Sequence, residues 1–371
     1  MADLDYPQSD KQEDARHPRE TLKLFGQQNA EQQFLRAYNN NNLHHAWLIT
    51  GNKGIGKATL AWRIAKFLFA YQENNTKNLF ETADTHETLD VDSTNPINKS
   101  IIALSEPGLF LLRCLYDESK KQFNKNITVD QIRKLNKFFS LSSADGTRRI
   151  VVIDSVDDLN INSANALLKS LEEPPARCTF LLISHRPSML LSTIRSRCVE
   201  LNCAQLDIKN IHEALISAGE NVDSLDSGLV TLSSGSVGKA LHLFRNDALG
   251  IYKSLLEVVQ TFPNLDGKLA LSISELVSSK KNNHKIDLIL ELIEVIISRL
   301  AFSGIGKDFP EIIPNEKKTL IELCFNLEQS QKWASLVGKL RAKVDYGMKV
   351  NIDPGTLILN TLIVMNKTAK D

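Results

Sequence analysis

The chain has 371 residues, enough for roughly two or three domains, and 42% of them are apolar, which supports ordinary packed cores. Lysine plus arginine equals aspartate plus glutamate at 44 each, so nothing global marks a nucleic-acid binder and any such contact has to be local. No apolar run approaches the length of a membrane span, and the first residues are polar and acidic, unlike a signal peptide, so a cytoplasmic protein with no membrane contact is expected.

Residues 1–20 are polar and charged with almost no apolar periodicity and read as a disordered lead. A helix is expected from about Asn29 to Tyr38, with Phe34, Leu35 and Tyr38 on one face. Ala46 to Thr50 reads as a short buried strand that runs into a glycine-rich turn and then a helix through Trp62, Ile64, Leu68 and Phe69. Gly51, Gly56 and Lys57 have the spacing G-x-x-x-x-G-K, with Gly54 inside the loop. Such glycines let backbone N–H groups close round a phosphate, while the lysine and helix N-terminus add positive charge. The next position, where a P-loop carries a hydroxyl for Mg²⁺, is Ala58, and Thr59 lies one residue out of register.

Residues 72–105 are rich in Asn, Asp, Glu and Thr and read as an irregular insert. A strand from Leu109 to Arg113 follows, then a helix from Val129 to Leu141 opened by a Thr128/Gln131 capping box, and a polar turn over 142–148. Arg149 to Asp154 (RIVVID) and Thr179 to Ser184 (TFLLIS) are continuous apolar runs of the kind a strand covered on both faces shows. Between them a helix from about Ser163 stops before Pro174 and Pro175, and Cys198 to Leu201 completes the set as a short strand. Strands alternating with helices in this way predict a parallel sheet. Beyond Asn202 only helices are expected, with Gly219, Gly228 and Gly235 breaking the first of them and longer stretches at 255–262, 269–277, 286–300, 320–329 and 333–344.

A hydrolysing P-loop ATPase needs a carboxylate at the end of a second strand and, in AAA+ proteins, a glutamate after it that activates water. Asp154 supplies the first, but Ser155 stands at the second. Asp157 and Asp158 lie too far along the chain to replace it without an unusual turn. The run NSANALLKSLEEPPARCTFLLISHRPSMLLSTIRSRC resembles the stretch that bacterial clamp-loader subunits of the AAA+ family carry up to their Ser-Arg-Cys motif. That resemblance covers about Leu43 to Asn202 strongly and the remainder more weakly. It implies a P-loop core with a five-stranded parallel sheet over 21–204, a helical lid over 205–245 and a helical collar over 246–371 that oligomerises.

Carried over by position, the resemblance makes Ser196, Arg197 and Cys198 the motif whose arginine reaches the ATP of a neighbouring subunit in trans. Ser184 falls at the family's polar sensor. The lid arginine of active motor subunits, in a Gly-Ser-x-Arg pattern, is matched by Gly238 in Gly235-Ser236-Val237-Gly238. With Ala58, Ser155 and Gly238 each weakening the chain's own site, the resemblance implies a non-hydrolysing member of DNA polymerase III. Its partners would be the motor subunits gamma and tau, a delta subunit, the sliding clamp and primed DNA. Two other functions stand against it, a working clamp-loader ATPase and a P-loop small-molecule kinase.

The nucleotide-binding set is then Gly51, Gly54, Gly56, Lys57, Thr59 and Asp154, which leaves room for weak ATP or ADP binding but requires no cofactor. Relatives often carry a four-cysteine zinc module after the P-loop helix. Residues 72–105 contain no cysteine, and Cys114, Cys178, Cys198, Cys203 and Cys324 are scattered without a C-x-x-C pair, so neither zinc nor a disulfide framework is expected. His44 and His45 read as packing residues before the first strand. The basic pairs at 120–121, 148–149 and 280–281 read as solvated faces, and Lys169 is the DNA candidate by family analogy.

Overall fold

The computed structural model describes residues 7–11, 15–21, 23–71, 85–140, 148–222, 226–278 and 285–370. They form two compact units, one of residues 1–222 with 235–238, the other of 223–234 with 239–371.

In the first unit, helix α1 (Gln28–Asn39) leads to strand β1 (Ala46–Thr50), and the glycine-rich turn feeds helix α2 (Lys57–Ala70). Then come α3 (Pro96–Ile102), β2 (Leu109–Arg113), a hairpin of β3 (Tyr116–Asp117) and β4 (Gln122–Phe123), and α4 (Val129–Ser140). The remainder alternates: β5 (Arg149–Asp154), α5 (Ile161–Glu172), β6 (Cys178–Ile183), the single turn α6 (Ser192–Arg195), β7 (Val199–Asn202) and α7 (Ile208–Ser217). The sheet runs β2-β5-β6-β1-β7 with every pairing parallel. Each central strand carries a run of four apolar residues because both faces are covered. On one side Ile132, Leu135, Leu167 and Leu171 of α4 and α5 pack against Val151, Ile153, Phe180 and Leu182. Phe34 of α1 packs on Trp47 with ring centroids 5.0 Å apart.

Two expectations for this unit are corrected. Residues 7–11 and 15–21 are packed, although composition reads them as disordered. Asp10 is fully buried against Arg113 at 2.5 Å and His17 at 3.1 Å, Ser9 Oγ donates to the Cys114 carbonyl, and Lys66 Nζ donates to the Arg19 carbonyl. Charges that look solvated in sequence are thus paired across some hundred residues. The insert is ordered from residue 85. Asn95 caps α3, Pro96 begins it, Ile101 buries its inner face, and the 86 backbone exchanges hydrogen bonds with Asn39. The rest of the insert, 72–84, and nearly all of the expected turn at 142–148 lie outside the described residues.

The second unit is helical: α8 (Ser227–Ser233), α9 (Val237–Arg245, its first two residues in the other unit), α10 (Ala248–Gln260), α11 (Gly267–Glu275), α12 (Lys285–Gly304), α13 (Glu316–Leu323), α14 (Leu327–Lys349) and α15 (Pro354–Lys370). The stretch expected as one helix over 320–329 is two. α13 stops at Leu323, and Asn326 caps α14 by accepting from the Gln329 amide at 2.8 Å. The expected 205–245 lid is not a separate body. α7 goes with the sheet, α8 goes with the bundle, and only 235–238 return to the first unit, where the Leu206 amide donates to the Gly235 carbonyl at 3.1 Å. No described helix is long and apolar enough to cross a membrane.

Candidate functional site

In an open parallel sheet the carboxyl ends of the strands form the ligand crevice. The chain leaves β1 at Thr50, and Gly51, Gly54 and Gly56 take φ of 134°, 82° and 100°, backbone that side chains strain to adopt. Space is equally restrictive. A methyl on Gly51 would lie 2.6 Å from the Cys203 carbonyl oxygen, and one on Gly54 would collide with Ser236 Oγ. Lys57 opens α2 and is 3% exposed. Its Nζ donates to the carbonyls of Gly51, at 2.7 Å, and Asn52. Burial lowers its pKa to about 8, against the opposing pull of nearby acids. Thr59 is half-buried on the first turn of α2.

Asp154 ends β5 two strands away from the loop. Burial, reinforced by the charge of Asp10, lifts its carboxyl to about 7 despite the attraction of Lys57. The neighbouring acids are committed elsewhere. Asp157 accepts from Ser184 Oγ at 2.9 Å and from the amides of His185 at 2.5 Å and Arg186 at 3.3 Å, so it fixes the chain leaving β6. Asp158 accepts from Ser155 Oγ at 2.7 Å and caps the 3₁₀ turn that follows β5. Neither is poised as a general base, as the spacing predicts. Ser184, the expected sensor, spends its hydroxyl on Asp157.

The structure therefore brings Gly51, Gly54, Gly56, Lys57 and Asp154 to one edge, and the residues there do not fit a P-loop Mg²⁺. The hydroxyl position is Ala58, both oxygens of Asp157 and one of Asp158 accept from the protein, and Asp154 is drawn toward its neutral form. Among the described residues no group of three His, Cys, Asp or Glu is arranged to hold a metal, and all five cysteines are free thiols.

Gly238, at the expected arginine position, has a backbone role instead. Its amide donates to the Gly54 carbonyl at 3.3 Å, so 235–238 lie directly on the loop. Sequence reasoning missed Gln27, 2% exposed, whose side-chain amide donates to the carbonyls of Ile55 and Ala204 and accepts from the Ala204 amide. It ties the P-loop to the chain after β7 across 177 residues, which no local pattern announces. It also missed His185, whose buried Nδ1 has no hydrogen-bond partner.

Ser196 and Arg197 are elsewhere. Because β7 runs parallel to β1 with Trp47 beside Val199 and Thr50 beside Asn202, Arg197 precedes the strand at the amino edge of the sheet. Four strand residues at about 3.3 Å each put that edge ~13 Å from the P-loop edge. Arg197 is 32% exposed. Its guanidinium pairs with Glu172 at 2.7 Å and donates to the Thr193 carbonyl at 2.7 Å and to Ser196 Oγ at 3.3 Å, while Ser196 Oγ donates to the Thr193 carbonyl.

A five-stranded parallel sheet with a glycine-rich loop after β1, an acid at the end of β5 and a following helical unit is consistent with the AAA+ architecture that the sequence resemblance implies. Residues 26–207 match the family described as "DNA polymerase III, delta subunit". DNA polymerase III subunit delta' of Pseudomonas aeruginosa is 34% identical over 52% of this chain and 53% of its own length, and that of Bacillus subtilis is 30% identical over 55% of each. DNA polymerase III subunit gamma of Buchnera aphidicola subsp. Acyrthosiphon pisum is 27% identical over 77% of this chain and 82% of its own. Over residues 26–207 the chain is thus similar to the clamp-loader subunits of DNA polymerase III, the delta-prime type among them. It spans about half the length of the delta-prime relatives it matches.

Proposed function

We propose that this chain is a non-hydrolysing member of a hetero-oligomeric clamp loader, ringed with gamma/tau motor subunits and a delta subunit. In that ring Arg197 serves the ATP of a neighbouring motor subunit while the complex places a sliding clamp on primed DNA. The observation that carries the reading is the position of Arg197 on the edge opposite its own phosphate loop. A phosphate it meets has to come from another chain, as for an arginine finger supplied in trans. The unfit Mg²⁺ position and the committed Asp157 and Asp158 support the non-hydrolysing half.

Arg197→Ala tests it. The surface pair with Glu172 is worth about 0–1 kcal/mol, so the variant should fold and assemble as the parent does. Turnover at the one ATP that Arg197 faces should fall by ~10³, the scale of an arginine finger, and the DNA-stimulated ATPase of the assembled complex should fall by at least that site's share. Glu172→Gln, which frees the guanidinium but leaves its bond to the Thr193 carbonyl, should not reproduce the loss. Unchanged turnover with Arg197→Ala would refute the trans role. The longer alignment with gamma favours a second reading, a chain that is itself an ATPase; turnover by the purified chain that disappears with Lys57→Ala would establish it.

A further inference from the structure

His185 is the residue at the P-loop edge that the clamp-loader reading leaves without a role. The Ser184 amide donates to the Ile49 carbonyl at 2.9 Å, which sets the residue after β6 between the ends of β5 and β1. The His185 and Arg186 amides are both held by Asp157, so the imidazole starts from a fixed backbone. Its Nδ1 is buried and has no partner, which is unusual because a buried polar atom normally finds one. The ring is kept neutral, its pKa pushed down to about 4, first by burial and then by the nearby ammonium of Lys57, against Asp157 and Asp158. A neutral imidazole has one N–H, and the tautomer that places it on Nδ1 makes that atom a donor.

The same edge offers a phosphate much and a divalent cation little. The loop amides, the α2 N-terminus and Lys57 are the donors of a phosphate cradle, whereas Ala58 contributes no oxygen ligand, both oxygens of Asp157 accept from 184–186 and Asp158 gives one of its two to Ser155. Lys57 Nζ now rests on two loop carbonyls, which it can exchange for phosphate oxygens without leaving the loop.

We propose that the loop takes the phosphates of a nucleotide without a divalent metal, and that the Nδ1–H of His185 is an additional phosphate donor. This rests only on reading 51–57 as a phosphate loop and is independent of Arg197.

The test is the binding of a fluorescent ADP analogue to the purified full chain, in EDTA and in excess Mg²⁺. Binding in EDTA should be at least as tight as in Mg²⁺. His185→Ala should weaken it about tenfold, the scale of one lost hydrogen bond to a charged group, and His185→Asn, whose amide restores an N–H, should recover part of that loss. Equal thermal midpoints would show that the variants are folded. Tightening of about tenfold by Mg²⁺ would overturn the metal-free site, and unchanged affinity in both His185 variants would overturn the donor role. Absence of binding by the parent chain in both conditions would overturn the phosphate-loop reading itself, while the Arg197 experiment would stand.

Discussion

Glu316 is a buried charge at which several helices of the helical unit meet, and its replacement by glutamine gives a measurable test of how far the unit depends on it. The carboxylate is fully buried. Arg299 Nη1 lies 3.1 Å from each of its oxygens, Tyr252 Oη donates to it at 2.5 Å and the Ile312 amide at 2.6 Å. Arg299 is itself buried, donates to the Pro310 carbonyl at 2.8 Å and lies over the Phe309 ring at 5.0 Å. α10, α12, α13 and the 309–312 loop therefore meet at one charge. Glu316→Gln keeps the volume but leaves the guanidinium without a counter-charge, a change that costs about 3–5 kcal/mol at buried pairs. Replacing both ends with apolar groups, Arg299→Met with Glu316→Leu, removes the uncompensated charge and should return most of the loss. The assay is native-state hydrogen exchange of the α12 and α13 amides, which reports this unit apart from the other. The single variant should accelerate exchange by about two to three orders of magnitude at ~1.4 kcal/mol per tenfold. A loss below about 1 kcal/mol, or a double variant as unstable as the sum of its singles, would refute the view that the charge organises the bundle.

Two further outcomes follow from the loop and its surroundings. Asp154 has a folded-state pKa of about 7 against an ordinary 3.8, so between those values the folded chain holds a proton that the unfolded chain has released, and stability falls as pH rises across that window. Asp154→Asn should match the parent near pH 4, gain thermal stability over it progressively up to about pH 7, and hold a constant margin above. A margin independent of pH would contradict the raised value. Gly54→Ala combines a positive φ with a collision at Ser236 Oγ, so it should destabilise the first unit by about 1–3 kcal/mol in chemical denaturation. Adding Ser236→Gly should relieve the collision and recover part of the loss, leaving the backbone term; additive losses would show that the two residues do not touch.

The sheet was legible because its signals are local. RIVVID and TFLLIS carry four consecutive apolar residues each between polar ends, since strands between two helical layers have no solvent face; the first strand is observed as read and the second one residue earlier. The P-loop was legible because only glycine tolerates three nearby positive φ values. What sequence hid was long-range pairing: Asp10 with Arg113, Gln27 with Ala204, and the destination of 235–238, where glycines announce a break but not what the broken segment packs on. α15 was missed although Asp353, before Pro354, accepts from the Thr356 amide at 2.9 Å and so marks a helix start.

The three altered ATPase positions could be read from sequence only as losses, and the structure gives two of them another meaning. Ser155, where a catalytic glutamate would stand, closes a capping box with Asp158, and Gly238, where an arginine would stand, puts its amide on the Gly54 carbonyl. Neutral decay of a catalytic site leaves polar groups without partners, each costing about 1–3 kcal/mol when buried. Here the hydroxyl of Ser155, both oxygens of Asp157, one oxygen of Asp158 and the amide of Gly238 have been taken up by the fold, and the last of these holds the loop directly. His185 Nδ1 stands apart from these groups, a buried polar atom at this edge with no hydrogen-bond partner, and the binding of the ADP analogue to the His185 variants decides whether a phosphate supplies one.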